Sequence, residues 1–351
     1  MNKRFFQRDF IELTGTIHNH TVYSFDSDEP VSSIIQAAKK NKLDYVCFTD
    51  HHNLDLLNDK DFMKEKRIIL IPGMEISDLD DEHHLLVFNS KTVIPPGKVE
   101  DYLPMYNREG AITFAAHPLE DRQDDRYPKY QWSKLYLDSF DGIEIWNFIS
   151  SWLKTMNYWK NGAFHLLFPQ MFIRRPYRKV LKYWDDLNLQ GKHKSGIGAI
   201  DAHGVSIRIL GLRVKVLTHK HLFAYIRTNV LIPSKDDITQ ADILLALRNG
   251  NSYVVNQRIG IPYNFYAGIT DSEGNNATFG EDIHFKKDMR LFYNLPKSGR
   301  IHLIYNGETI EKRSGSKGYF EIRKPGFYRL EILRYFLGWI YTNPIYVKGG
   351  E

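Results

Sequence analysis

Along the first two hundred residues, short apolar runs keep stopping at the same kinds of side chain. Thr16-Ile17 leads into His18-Asn19-His20, and Tyr45-Val46-Cys47-Phe48-Thr49 into Asp50-His51-His52. Ile68-Ile69-Leu70-Ile71 is followed by Pro72-Gly73-Met74-Glu75, Ala111 to Ala116 by His117-Pro118, and Ile197 to Ile200 by Asp201-Ala202-His203. His83 and His84 stand just ahead of a further run, Leu85-Leu86-Val87-Phe88. Eight of the 14 histidines fall in these five histidine motifs. Runs of this length read as buried strands. Between the first two, Pro30 opens a helix with Val31, Ile34, Ile35 and Ala38 on one face, because proline suits a first turn whose N–H would be unpaired anyway. Strand and helix in repetition predict an α/β fold with a parallel sheet or barrel.

In such a fold, residues at the C-terminal ends of strands converge on one face. H-x-H on a strand sends both imidazoles to the same side, and D-x-H does the same for Asp201 and His203. Imidazole with carboxylate suits zinc, manganese or iron. The one cysteine, Cys47, excludes an intramolecular disulfide framework and an all-thiolate zinc knuckle. A single H-x-H is more often a hydrogen-bonded core pair. Five motifs at strand mouths read as a metal site.

Charge adds a second constraint. The 351 residues carry a formal net charge of +5, too mild on its own for a nucleic-acid coat. The sum hides an uneven layout: 17 basic and 26 acidic residues in 1–149, then 14 basic and 3 acidic in 150–228. The middle block is a candidate surface for an anionic substrate, although charge runs are usually solvated faces. It is irregular and aromatic up to a helix begun by Pro176, whose stripe is Val180, Tyr183, Trp184 and Leu187. A further helix, Gln240 to Arg248, stops at Asn249-Gly250, and from about 258 the pattern becomes period-two alternation broken by turns. Ile301 to Tyr305 ahead of Asn306-Gly307 is a strong hairpin signal. The expected division is a barrel over 1–228, a connecting segment over 229–257 and a small all-β sandwich over 258–351. No apolar run approaches the roughly 18 residues of a membrane span, and the N-terminus has no apolar region behind its basic residues. A soluble, cytoplasmic protein with no membrane partner is the expectation.

The order of the motifs, H-x-H, D-H, G-x-E, an isolated His, A-H-P and D-x-H, resembles the polymerase and histidinol phosphatase (PHP) superfamily across roughly residues 12–205. The β-rich end, including Trp339 to Val347, looks like the branch in which a C-terminal sandwich follows the PHP domain. The resemblance implies a distorted (β/α)7 barrel holding two or three divalent metals. Carried over motif by motif, His18, His20, Glu75 and Asp201 would hold the first metal. Glu75 would bridge to a second held by His84 and His117, and His51, His203 and Asp26 would hold a third. His51 matches the motif better than His52 because it directly follows Asp50; His84 is preferred over His83 because it abuts the apolar run.

The implied activity is a metal-dependent phosphoesterase, in which hydroxide bridging the metals attacks a phosphate ester of a small metabolite or nucleotide. Asp201 or His52 would serve as leaving-group acid. Arg122, Arg174, Arg175 and Lys194 are the candidates for gripping substrate, with Arg126 beside them. Trp146 is expected to fill the barrel mouth and Cys47 to be an inert buried thiol. Monoester and diester hydrolysis stay equally open. The alternatives are an amide or carbamate hydrolase built on the same centre and a nucleic-acid-processing phosphoesterase; a non-enzymatic binding module is disfavoured because all the motif ligands are present.

Overall fold

The structure, a computed structural model, describes residues 2–5, 8–122, 124, 129–204, 206–209 and 212–349. The chain gathers into two compact units that interleave along the sequence. One comprises Thr14–Tyr177 and Gly198–Arg227; the other comprises Met1–Leu13, Arg178–Ile197 and Thr228–Glu351.

In the first unit, the end of strand Arg8–Thr16 pairs in parallel with Tyr45–Cys47, which pairs in parallel with Ile69–Ile71. Helix Val31–Lys40 links the first two and buries Val31, Ile34, Ile35 and Ala38, as its spacing predicts. Pro30 sits one position outside the helix as its N-cap, with φ −65°. A second sheet runs Gly142–Asn147, Ile112–Ala115, Leu85–Phe88, Gly73–Ile76, Asp50–His51. It is mixed rather than parallel throughout: Leu85–Phe88 is antiparallel to both its neighbours. The cause lies in the link over 77–84, which has no helix to carry a parallel crossover, so the chain must turn straight back. Gly73 makes that hairpin fit, since a side chain there would collide with the Phe88 ring and the Val87 carbonyl. No sheet of the described residues closes on itself. Beyond the strands, however, a parallel bridge joins Asn19 to Ala202, and Ile200 N–H donates to Ile17 O.

The second unit is β-rich. Its strands follow the order Asn276–Ala277, Tyr266–Thr270, Arg290–Tyr305, Gly326–Arg334, Leu337–Thr342, Ser252–Asn256. The anticipated hairpin pairs Arg290–Tyr305 with Glu308–Glu321, and both turn residues, Asn306 (φ 48°) and Gly307 (φ 86°), are left-handed as a two-residue turn requires. Helix Arg178–Leu189, two residues later than Pro176 suggested, belongs here although the linear division assigns it to the barrel. Its buried Asp185 takes a two-pronged ion pair from Arg329 at 2.8 and 2.7 Å, and its Asn188 accepts from the Tyr346 hydroxyl at 2.7 Å. Among the described residues no helix is long and apolar enough to cross a membrane.

Candidate metal centre

Backbone pairing, rather than any single loop, assembles the site. Ala202 N–H donates to His18 O and His20 N–H to Ala202 O. That lacing sets His18, His20, Asp201 and His203 along one rim. In the neighbouring sheet, His51 lies in register with Glu75 across a parallel pair, and Glu75 in register with Leu86 across an antiparallel one. Ala116 N–H donates to His84 O, which brings His84 and His117 together. Four residues at the rim hold left-handed backbones: His18 (φ 67°), His52 (φ 51°), His117 (φ 28°) and Asp201 (φ 56°). Non-glycine residues rarely adopt that conformation, and strain of this kind concentrates at functional sites.

Glu75 is the hub. One of its oxygens, Oε2, lies 3.0 Å from His18 Nε2, 3.3 Å from His20 Nε2 and 3.5 Å from His51 Nε2. The other, Oε1, lies 2.8 Å from His84 Nδ1 and 3.3 Å from His117 Nε2. Asp201 Oδ1 stands 3.4 Å from His18 Nε2 and 3.5 Å from His20 Nε2. Asp26 Oδ2 stands 3.3 Å from His51 Nε2 and 3.1 Å from His203 Nε2. In each of four groups the donor atoms fall within 4.8 Å of one another: His18, His20, Glu75; His18, His117, Asp201; Glu75, His84, His117; and His20, Asp26, His51, His203. All nine sequence-predicted ligands are therefore brought together, and His20 also borders the Asp26 group.

The donor set fits divalent cations. Buried His20 Nε2 faces Glu75 and Asp201 yet makes no hydrogen bond to either, as ligands aimed at a shared point do. Electrostatics agree. Burial would push the His18 imidazole down, but Asp201, Glu75 and Glu144 raise it well above its ordinary value. Burial would raise Glu75, but His18, His51 and His84 hold it well below the usual carboxylate range; His18, His20 and His203 do the same for Asp201. His84, despite burial, is pushed up to about 10 by Glu75 and Asp81. The pocket thus holds Glu75 and Asp201 as carboxylates that raise His18 and His84, the environment a cation satisfies.

Two residues that sequence reasoning missed complete the site. Glu144, fully buried in strand Gly142–Asn147, lies 2.7 Å from His18 Nδ1 through one oxygen and accepts the His117 backbone N–H at 2.8 Å through the other. Asn147 Nδ2 donates to Glu144 at 2.8 Å and reaches Asp201 Oδ2 at 3.5 Å. Partners of this sort fix the orientation of ligating imidazoles. The available signal was a carboxylate inside the apolar run Ile143-Glu144-Ile145-Trp146. Asp50, next to His51, accepts the Thr21 N–H and hydroxyl at 2.6 and 2.8 Å.

The remaining candidates lie apart from the cluster or at its edge. His52 Nε2 accepts the Ser77 N–H at 3.2 Å, and burial with His51 nearby lowers its pKa. His83 is tied to Asp78 at 2.5 Å. Arg122 is buried and paired with Glu120 at 2.7 Å; it lies 5.0 Å over the Tyr130 ring, which in turn sits 4.3 Å from His84. Arg174 and Arg175 are exposed, Lys194 belongs to the other unit, and Arg126 lies outside the described residues. Trp146 and Cys47 are buried, and burial pushes the Cys47 thiol up.

Comparison with known proteins bears on this arrangement. Residues 16–94 match the model of the PHP domain family. No curated protein matches the chain. Among solved structures, a two-domain protein from Bacteroides vulgatus ATCC 8482, described as containing a PHP-like metal-dependent phosphoesterase, is similar at 15% identity and TM-score 0.48, over 95% of each chain. A protein from Bifidobacterium adolescentis ATCC 15703, described as a metal-dependent phosphoesterase, is similar at 16% identity and TM-score 0.37, over 54% of this chain and 87% of that one. Endonuclease Q bound to a duplex with an abasic lesion is similar at 14% identity and TM-score 0.42, over 69% of this chain and 58% of that one. The matched segment contains the H-x-H, D-H, G-x-E and isolated-His motifs in order.

Proposed function

We propose that this chain is a metal-dependent phosphoesterase acting on a phosphate ester of a small metabolite or nucleotide. One observation carries the reading: a buried Glu75 whose two oxygens each face a separate set of imidazoles. His18, His20, Glu75 and Asp201 would hold one divalent ion, Glu75, His84 and His117 a second, and Asp26, His51 and His203 a third, as zinc, manganese or iron. When bound, such ions supply Lewis acidity that polarises a phosphoryl oxygen and brings the pKa of a water toward neutrality.

The protein's own groups do the rest. Glu144, 2.7 Å from His18 Nδ1, orients that ring so that Nε2 faces Glu75. Asn147 steadies Glu144 and Asp201 together, so the two rims keep a fixed spacing. Asp201 and His52 are the two leaving-group acid candidates; the imidazoles around Asp201 Oδ1 hold that carboxyl ionised, which suits it to a ligand's part, and His52 Nε2 is turned to Ser77. The exposed Arg174 and Arg175 remain candidates for binding substrate phosphate. The bridge from Asn19 to Ala202 supports reading the unit as a distorted (β/α)7 barrel.

The test is metal analysis of the purified protein with parallel panels of phosphate esters and of amides or carbamates, each with added Mn²⁺ or Zn²⁺. Two or three ions per chain and turnover confined to the phosphate panel are expected. Turnover of amides alone would overturn the reaction class, and absence of bound metal at saturating ion would overturn the site.

A further inference from the structure

We propose that the β-rich unit carries a docking surface for single-stranded nucleic acid, centred on the hairpin tip Tyr335-Phe336. Strands Gly326–Arg334 and Leu337–Thr342 pair directly at Arg334 and Leu337, leaving those two residues as the whole turn. Both are left-handed, at φ 53° and 61°. A turn of this kind selects Asn-Gly, because a bulky side chain at positive φ is strained. The same unit obeys that rule at Asn306-Gly307. Here it displays two aromatic rings instead, 69% and 73% exposed, so core packing does not offset the strain. Strained backbone that packing does not explain points to function.

The surroundings say what the rings would meet. Arg334 Cζ lies 4.5 Å from the Tyr335 ring centre, and its Nη2 donates to the Tyr335 hydroxyl at 2.7 Å. Arg300 Cζ lies 5.3 Å from the Phe336 ring centre. Each ring therefore carries a guanidinium and offers a stacking surface beside it, a pairing that suits a base next to its phosphate. Charge supports the same partner: residues 286–340 contain 12 basic and 5 acidic side chains. Arg334 Nη1 and Trp339 Nε1 also hold the Ile259 and Gly260 carbonyls, so the loop leading to Tyr263, 58% exposed, starts beside the tip. A lipid surface also takes exposed rings and cations. Insertion there would drag a stacked guanidinium toward the acyl chains with each ring, which is costly. A polyanionic strand takes rings and guanidinia together. Stacking and phosphate contacts carry little sequence information, so recognition would be sequence-tolerant.

This surface is argued from the tip alone and stands whether or not the metal centre hydrolyses anything. The full-length protein is titrated into labelled oligothymidylate and followed by fluorescence anisotropy over a range of salt. Binding that weakens steeply with salt is expected. The double change Tyr335→Asn with Phe336→Gly should raise the melting temperature, because the turn then suits its backbone, while weakening binding on the order of 100-fold, about tenfold per lost stack. Arg300→Gln with Arg334→Gln should lower the log–log salt slope by about 1.4, roughly 0.7 for each phosphate contact on a single strand. No binding by the wild type, or undiminished binding by the Asn-Gly variant, would overturn the proposal. So would capture by phosphatidylserine vesicles that the Asn-Gly variant abolishes, with no capture of the oligonucleotide.

Discussion

Two buried clusters of charge, one in each unit, are built on opposite principles. In the β-rich unit, Asp185 faces a single cation, and the Arg329 fork meets both of its oxygens at 2.7 and 2.8 Å, with Glu331 on the remaining nitrogen at 2.8 Å. Donors and acceptors are matched there, and nothing else is needed. Around Glu75, five imidazole nitrogens stand at 2.8 to 3.5 Å from two oxygens, most of them too loosely for good hydrogen bonds. A matched cluster is structural, whereas a surplus of ligand atoms around one carboxylate leaves a place for ions. The comparison predicts that damage to the first is read in stability and damage to the second in metal content and turnover.

The largest effect is expected at the hub. Glu75→Ala should lose turnover by more than the roughly 10–100-fold typical of groups outside the ligand set, and metal content by elemental analysis should fall with it. His117→Ala and Asp201→Asn should also abolish turnover while circular dichroism stays native. Full activity with full metal content in Glu75→Ala would erase the contrast between the clusters.

Next comes the matched pair. Arg329→Ala strands the buried Asp185 carboxylate and should cost about 3–5 kcal/mol in urea unfolding, with the metal content unchanged. Replacing both partners, Arg329→Met with Asp185→Leu, should recover most of that loss, because a buried ion pair is worth little over apolar packing of similar volume. If the double variant stays as unstable as the single one, Asp185 and Arg329 have separate duties.

An intermediate loss is expected from Glu144→Gln, which keeps the shape but weakens the hold on His18 Nδ1. Turnover or metal affinity should fall roughly 10–100-fold, and the loss should be partly recovered at higher metal concentration. Glu144 also marks the limit of what the sequence makes legible. Eight of the nine candidate ligands could be read because each lies in a motif near a strand end, while Asp26, in the loop before helix Val31–Lys40, came only through the family resemblance. Glu144 sits inside a strand, and only the pairing of that strand with Ile112–Ala115 brings it under His117. Helix Arg178–Leu189 shows the same limit on a larger scale: its apolar stripe announces burial but cannot name a partner. Its company was set by Asp185 and Asn188, polar residues that a hydrophobic pattern ignores. The antiparallel Leu85–Phe88 was hidden likewise, since an apolar run carries no direction. Tyr335-Phe336 was invisible as a turn because neither residue is a turn former.

The smallest effect belongs to a charge cluster at the surface, which calibrates the two buried ones. Asp242, in the first turn of helix Gln240–Asn249, takes Lys235 at 2.8 Å and the Thr239 hydroxyl and N–H at 2.7 and 2.8 Å, completing a capping box. Lys235 first, then Thr239, lowers its carboxyl from 3.8 to about 2. A carboxylate with a depressed folded pKa stabilises fully above its unfolded value and loses that contribution as pH falls through the folded one. The melting-temperature gap between wild type and Asp242→Asn should therefore be constant near neutrality and start to close below about pH 4. Its size should match a single exposed cap, roughly 0.5–1 kcal/mol, because solvent screens the Lys235 pair. A gap that widened on acidification would reverse the sign assigned to Asp242. A gap approaching that of Arg329→Ala would mean that exposure does not separate this cluster from the buried one.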